Sequence, residues 1–147
     1  MLVAALGFVA GLPIGRFHLA AALGLTAAVA LALGALDRTS PRRVLAALAL
    51  GGAVLVGAAL LAAACWDLSY DGQAYHQSAV SLLARGWNPL AGSLPREATV
   101  HRLWLEHYLR GPELAAAVVV AATGSLEGGK VFAIALVAAA ALLTGTA

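Results

Sequence analysis

Apolar residues fill this chain in long runs, and two polar stretches of different character interrupt them. The first interruption, Asp37-Arg38-Thr39-Ser40-Pro41-Arg42-Arg43, is short and carries three arginines. The second, from Cys65 to Pro112, holds all three tryptophans, all three tyrosines and three of the four histidines. About 20 apolar residues are needed to cross ~30 Å of hydrocarbon. The uncharged segments 19–36 and 44–64 meet that length with modest tilt and are predicted to span. Segment 1–13 is too short to do so and reads as a half-inserted or truncated helix. Pro41 suits the first turn of the second span, with Ser40 as its cap.

Past Pro112, segments 114–122 and 131–147 are apolar and flank Thr123-Gly124-Ser125-Leu126-Glu127-Gly128-Gly129-Lys130. The pattern predicts a transmembrane hairpin over 113–147 that returns to the side of the arginine loop and crosses back. Its first arm is long enough only with Arg110, Glu113 and Glu127 at or near the interfaces. The chain stops inside apolar sequence, which reads as an interrupted protein.

The polar stretch has helical periodicity of its own. Tyr75, Ala79, Leu82 and Leu83 share one side of a helix over 72–85, with Gln73, His76 and Gln77 opposite. Asp71 stands where an N-cap would, and Gly86 at C′. A second helix is predicted over 95–109, with Ser93 as cap and Val100, Leu103, Trp104, His107 and Tyr108 on one side. Glu106 lies four residues from both Arg102 and Arg110 and supports the helix from either direction. Both helices are too polar to span and suit the membrane interface. The expected fold is therefore all-α: polytopic transmembrane helices over 1–64 and 113–147, joined by an extracytoplasmic loop 65–112 with two amphipathic interfacial helices.

Composition agrees with this class. Of 147 residues, 62% are hydrophobic and 11% charged, against about 25% charged in soluble domains. The net charge of +2 comes from scattered residues rather than a basic stripe, which argues against nucleic acid as a partner. The single cysteine, Cys65, permits no internal disulfide, and no Cys/His spacing suggests a structural metal. The density of arginine in 37–43 places that loop in the cytoplasm, so 65–112 emerges on the other side.

Chemistry belongs to the polar stretch. Asp67 and Asp71 lie four apart just past a span, where partial desolvation can poise a carboxylate as a base. The bland alternative is that Asp71 caps a helix and Asp67 marks a helix exit. With His76 these acids could hold a divalent cation, although no full ligand set is visible. Tyr75, His76 and Gln77 could contact a polar substrate and Trp87 could stack on a sugar face, or the aromatics could serve as interface anchors. Asn88-Pro89 reads as a turn. Arg110 could pair with a phosphate or anchor a helix end.

Taken together, "DLSYDGQAYHQSAVSLLARGWNPL" followed by "WLEHYLRGPELAAAVVVAATGSLEGGK" resembles the first extracytoplasmic loop and following hairpin of bacterial GT-C-type membrane glycosyltransferases. These are relatives of the polyprenyl-phosphate-dependent mannosyl- and aminoarabinosyl-transferases. The resemblance covers roughly the second half of the chain. It implies sugar transfer from a polyprenyl-phosphate donor at the outer face of a bacterial plasma membrane, by a protein of which this chain is the N-terminal part. It implies Asp71 as the acid that acts on the acceptor or binds metal, with Asp67 second. Tyr75, His76, Gln77, Trp87, Asn88, His107, Tyr108 and Arg110 are the matching candidates for substrate contact. Leu109 and Arg110 stand where the family more often has Pro and Lys, which keeps the charge and loses a rigid turn. Two other classes remain. One is a small non-catalytic membrane protein whose 65–112 loop is a platform for lipids or a partner subunit. The other, a transporter segment, is weaker because the acids lie in a loop.

Overall fold

The computed structural model describes residues 2–94, 96, 102–107 and 111–145, and these are helical with no strand. The helices are α1 (Leu2–Val9), α2 (Phe17–Leu36), α3 (Pro41–Ala64), α4 (Gln77–Ala84), α5 (Arg102–His107), α6 (Gly111–Thr123) and α7 (Val131–Gly145). A π-helical turn, Gly72–His76, leads into α4, and a 3₁₀ turn, Glu127–Lys130, leads into α7.

Three rods are long and apolar enough to cross a membrane: α2, α3, and α7 with its 3₁₀ lead-in. At 20, 24 and 19 residues they measure about 28–36 Å. Only 6% of the most apolar window of each is buried. Leucine and valine thus face outward on most sides, as they do where the solvent is hydrocarbon. These helices mark an integral membrane protein.

Helices α2 and α3 are joined by the arginine turn, where Thr39 N–H donates to Gly34 O (2.8 Å) and Arg38 takes a positive φ of 55°. Close approach of the two helices depends on Gly34, because a Cβ there would lie 2.4 Å from Val44 Cγ2. Small residues are what permit such contact between membrane helices. Pro41 occupies the first turn of α3, but Ser40 makes no side-chain cap bond.

Helix α7 starts beside the end of α3, with Val131 packed against Ala58 and Ala62. Its far end shares an apolar cavity with Arg43 and Val44, so it runs back toward the arginine turn. A second layer covers the other end of the rods. There Ala4 and Phe8 of α1, Val80 and Leu83 of α4, and Ala116, Ala117 and Val118 of α6 form one core cluster with Ile14.

This layer bears on the expected hairpin. As described from Gly111, helix α6 has 13 residues, about 20 Å of rise, which by itself is short of a crossing. The turn after it lies against the exit of α3, where the Lys130 ammonium donates to Cys65 O and Asp67 N–H donates to Glu127 Oε2 (3.2 Å). The 113–147 segment therefore has one arm of crossing length, and its turn sits at the same end as the polar stretch. The reason is packing: Ala115, Ala116, Ala117 and Val118 are consumed by contact with neighbouring helices.

The expected helix over 72–85 begins earlier, since Tyr70 and Asp71 are already helical. Its cap is Ser69 and not Asp71: Ser69 Oγ accepts from Gly72 N–H at 3.0 Å, the N-cap to N3 bond. The helix ends at Gly86, whose φ is +99°. Of the helix expected over 95–109, α5 is the part described, with an Arg102–Glu106 ion pair at 2.8 Å. Residues 95, 97–101 and 108–110 lie outside the described residues.

Candidate functional site

The chain leaves α3 at Cys65 and must reach the head of the next helix in four residues. Asp67 organises that passage. Its Oδ1 accepts from Ser69 N–H (3.0 Å) and Ser69 Oγ–H (2.7 Å), while Gln73 Nε2 donates to its carbonyl (3.0 Å). The hydroxyl and amide of Ser69 hold the Asp67 carboxyl below its ordinary value. Slight desolvation opposes this, and the charges of Lys130 and His76 add to it. At neutral pH Asp67 is an ionised and weak base.

Gly72 is required at the helix head. A Cβ there would lie 2.0 Å from Asp67 Oδ2 and 2.5 Å from Ser69 Oγ. The π-helical turn that starts at Gly72, closed by Gln77 N–H donating to Gly72 O, puts an extra residue into the turn. Tyr75 is buried, whereas His76 and Gln77 line a cleft.

The opposite wall comes from α6 and the turn before α7. Glu113, 4% exposed, approaches His76 with Oε1 at 2.7 Å from Nδ1. Its other oxygen, Oε2, is buried with no hydrogen-bond partner among the described residues. Leaving such a group unsatisfied costs about 1–3 kcal/mol or more. Glu127 and Lys130 form an ion pair across one end of the cleft. The enclosed space is about 190 Å³, and Val80, Pro112, Ala116 and Phe132 supply apolar surface. Among the described residues, no group of three or more His, Cys, Asp or Glu is placed to hold a metal ion.

Asp67, His76 and Gln77 are therefore brought together, and the other candidates among the described residues are not. Asp71 is exposed in the first turn of the helix and outside the lining of the cleft. Tyr75 stacks on Trp104 at a centroid distance of 5.7 Å. Trp87 packs against the α1–α4–α6 core and its Nε1–H donates to Gly92 O (3.4 Å). Asn88 Nδ2 donates to Phe8 O (3.0 Å), tying this turn to α1. His107 is exposed and its Nδ1 lies 3.1 Å from Leu103 O. Tyr108 and Arg110 lie outside the described residues.

No family model, curated protein or solved structure matches the chain.

The residues that sequence reasoning missed are Glu113 and the Glu127–Lys130 pair. An acid in the first turn of a helix is ordinarily explained by the helix dipole, and a Glu and Lys three apart by a solvated turn. Glu113 carries one weak signal, as the only charged residue at the head of an otherwise apolar run from Leu114 to Thr123.

Proposed function

We propose that this chain belongs to a membrane glycosyltransferase that takes a sugar from a polyprenyl-phosphate donor on the membrane face carrying the 65–112 loop. One observation carries the reading: an acid-lined cleft and a half-open apolar cavity among the helices share Phe132 in their walls. That cavity, about 490 Å³, lies among α1, α2, α3, α6 and α7, and Phe132 lines both spaces. A polar head in the first and a hydrocarbon chain in the second is the arrangement a lipid-linked sugar needs. The resemblance of the loop sequence to GT-C-type enzymes adds to this.

In the reaction the acceptor hydroxyl oxygen bonds to the anomeric carbon as the bond from that carbon to the phosphate oxygen breaks. The hydroxyl proton passes to a base, and polyprenyl phosphate leaves. Asp71, exposed in the first turn of the helix, takes the role of base. Asp67, held ionised by Ser69, suits charge stabilisation and positioning. The test is reconstitution into liposomes with a radiolabelled polyprenyl-phosphate hexose. Release of polyprenyl phosphate coupled to labelling of an acceptor supports the reading, and absence of release from every such donor removes it.

The arginine turn faces the cytoplasm in this proposal and the cleft faces outward, by the positive-inside rule. Cys65, the single cysteine, is exposed at the cleft end. A membrane-impermeant maleimide applied to intact cells should label it, and labelling only after lysis would reverse the assigned topology.

A second reading has its own observation. Trp66, Leu68 and Tyr70 are 77%, 80% and 79% exposed on the segment leaving α3, at the depth where such side chains contact headgroups. If transfer fails in the liposome assay, a lipid-binding platform is the reading that remains.

A further inference from the structure

Glu113 has no part in the reading so far, yet its setting is the most demanding in the molecule. It is 4% exposed and lines the cleft. Oε1 is engaged by His76 Nδ1 at 2.7 Å, and Oε2, equally withdrawn from water, has no hydrogen-bond partner among the described residues. Buried carboxylate oxygens are ordinarily satisfied. Among the described residues, the charges nearby do not supply what is missing. Lys130 is taken up by Glu127 and by Cys65 O, and the lowered Asp67 carboxyl adds a further negative charge.

We propose that Glu113 is a ligand-binding residue whose Oε2 accepts a hydrogen bond from a hydroxyl or ammonium group of a small polar head seated in the cleft, and whose charge keeps phosphate out. The terminal torsion of a glutamate is soft, so Oε2 turns into the cleft without movement of α6. The same turn carries Oε1 away from His76 Nδ1, so a bound ligand competes with that bond. A space of about 190 Å³ is below the range of about 300–1,000 Å³ for drug-sized ligands, so it takes one ring rather than a chain. The surfaces of Val80, Pro112 and Phe132 suit the apolar face of that ring. The identification of the hydroxyl with a sugar's rests on the proposed function. The demand for a hydrogen-bond donor does not. The donor's phosphate then lies outside the cleft, with only the sugar inside.

The test uses the full chain in lipid nanodiscs and ligand-observed saturation-transfer NMR. The probes are a methyl hexopyranoside, its 2-amino-2-deoxy analogue and a hexose 1-phosphate. The first two separate hydroxyl from ammonium as the group received. Binding of at least one of them is expected, with no signal from the phosphate. Glu113→Gln, which keeps the volume and a partner for His76, should weaken binding about tenfold, the effect of losing a charge-assisted hydrogen bond. Equal binding of the phosphate, or no binding of either neutral or amino sugar, overturns the proposal in the unmutated protein, whatever the variant's folding. Unchanged binding in a folded Glu113→Gln protein does so too. Transfer activity with Glu113-independent sugar binding would remove this role and leave the transferase standing. Glu113-dependent binding without any transfer would do the reverse.

Discussion

Asp71→Asn is expected to lower sugar transfer by about 10²–10⁴-fold, the contribution of a positioned general base. The carboxylate stands exposed in the first helical turn, so its removal costs the fold little. Asparagine keeps its size. It forfeits a negative charge near a helix N-terminus, worth only about 0.3–1 kcal/mol. A drop of this size with an unchanged circular dichroism spectrum therefore reports chemistry. Asp67→Asn should act differently, because Oδ1 is already occupied by the Ser69 amide and hydroxyl. An asparagine carbonyl can still accept one or both bonds, so the loop survives while the charge is lost. Transfer by Asp71→Asn at the unmutated rate would exclude Asp71 as the base.

Gly72→Ala should cost about 10²-fold in transfer while leaving the fold nearly as stable as before. The two halves of this expectation have separate causes. The added Cβ would fall 2.0 Å from Asp67 Oδ2 and 2.5 Å from Ser69 Oγ. The Asp67 carboxylate must swing away and Ser69 must release the Gly72 amide. Loss of an N-cap costs about 0.5–2 kcal/mol, but alanine is favoured over glycine inside a helix by about 1 kcal/mol. These terms nearly offset each other in stability. They do not offset in function, because a displacement of about 1 Å in a reacting group can cost about 10²-fold. Gly24→Ala on α2 is the control, since a Cβ there meets nothing within 4 Å. It should leave transfer unchanged. A Gly72→Ala protein that transfers normally would mean that the geometry at Asp67 does not matter to the reaction.

Much of the fold was legible because a bilayer selects on length and average polarity, both of which are local. Segments 19–36 and 44–64 became α2 and α3 with shifts of a few residues at their ends, and the arginine turn fell where charge and proline predicted. The site was legible only in part. Asp67, His76 and Gln77 lie in one stretch of sequence and share one cleft. Trp87 and Asn88 looked equally chemical, yet they are spent on packing and on a bond to α1. Nothing in their residue types distinguishes those uses.

By itself, then, the sequence determined an all-helical chain with spans at α2 and α3 and a polar stretch emerging from the second of them. The tertiary structure alone decided that α6 packs against α1 and α4. It also decided that the turn after α6 meets Asp67 from 60 residues away, and that Glu113 is buried against His76 across 37 residues. The reason is physical. Hydropathy registers how well each segment suits its solvent, one window at a time. Which acid faces which imidazole depends on how helix ends meet, and that is settled by close contacts such as Gly129 on Ala116, made between segments whose separate compositions are alike.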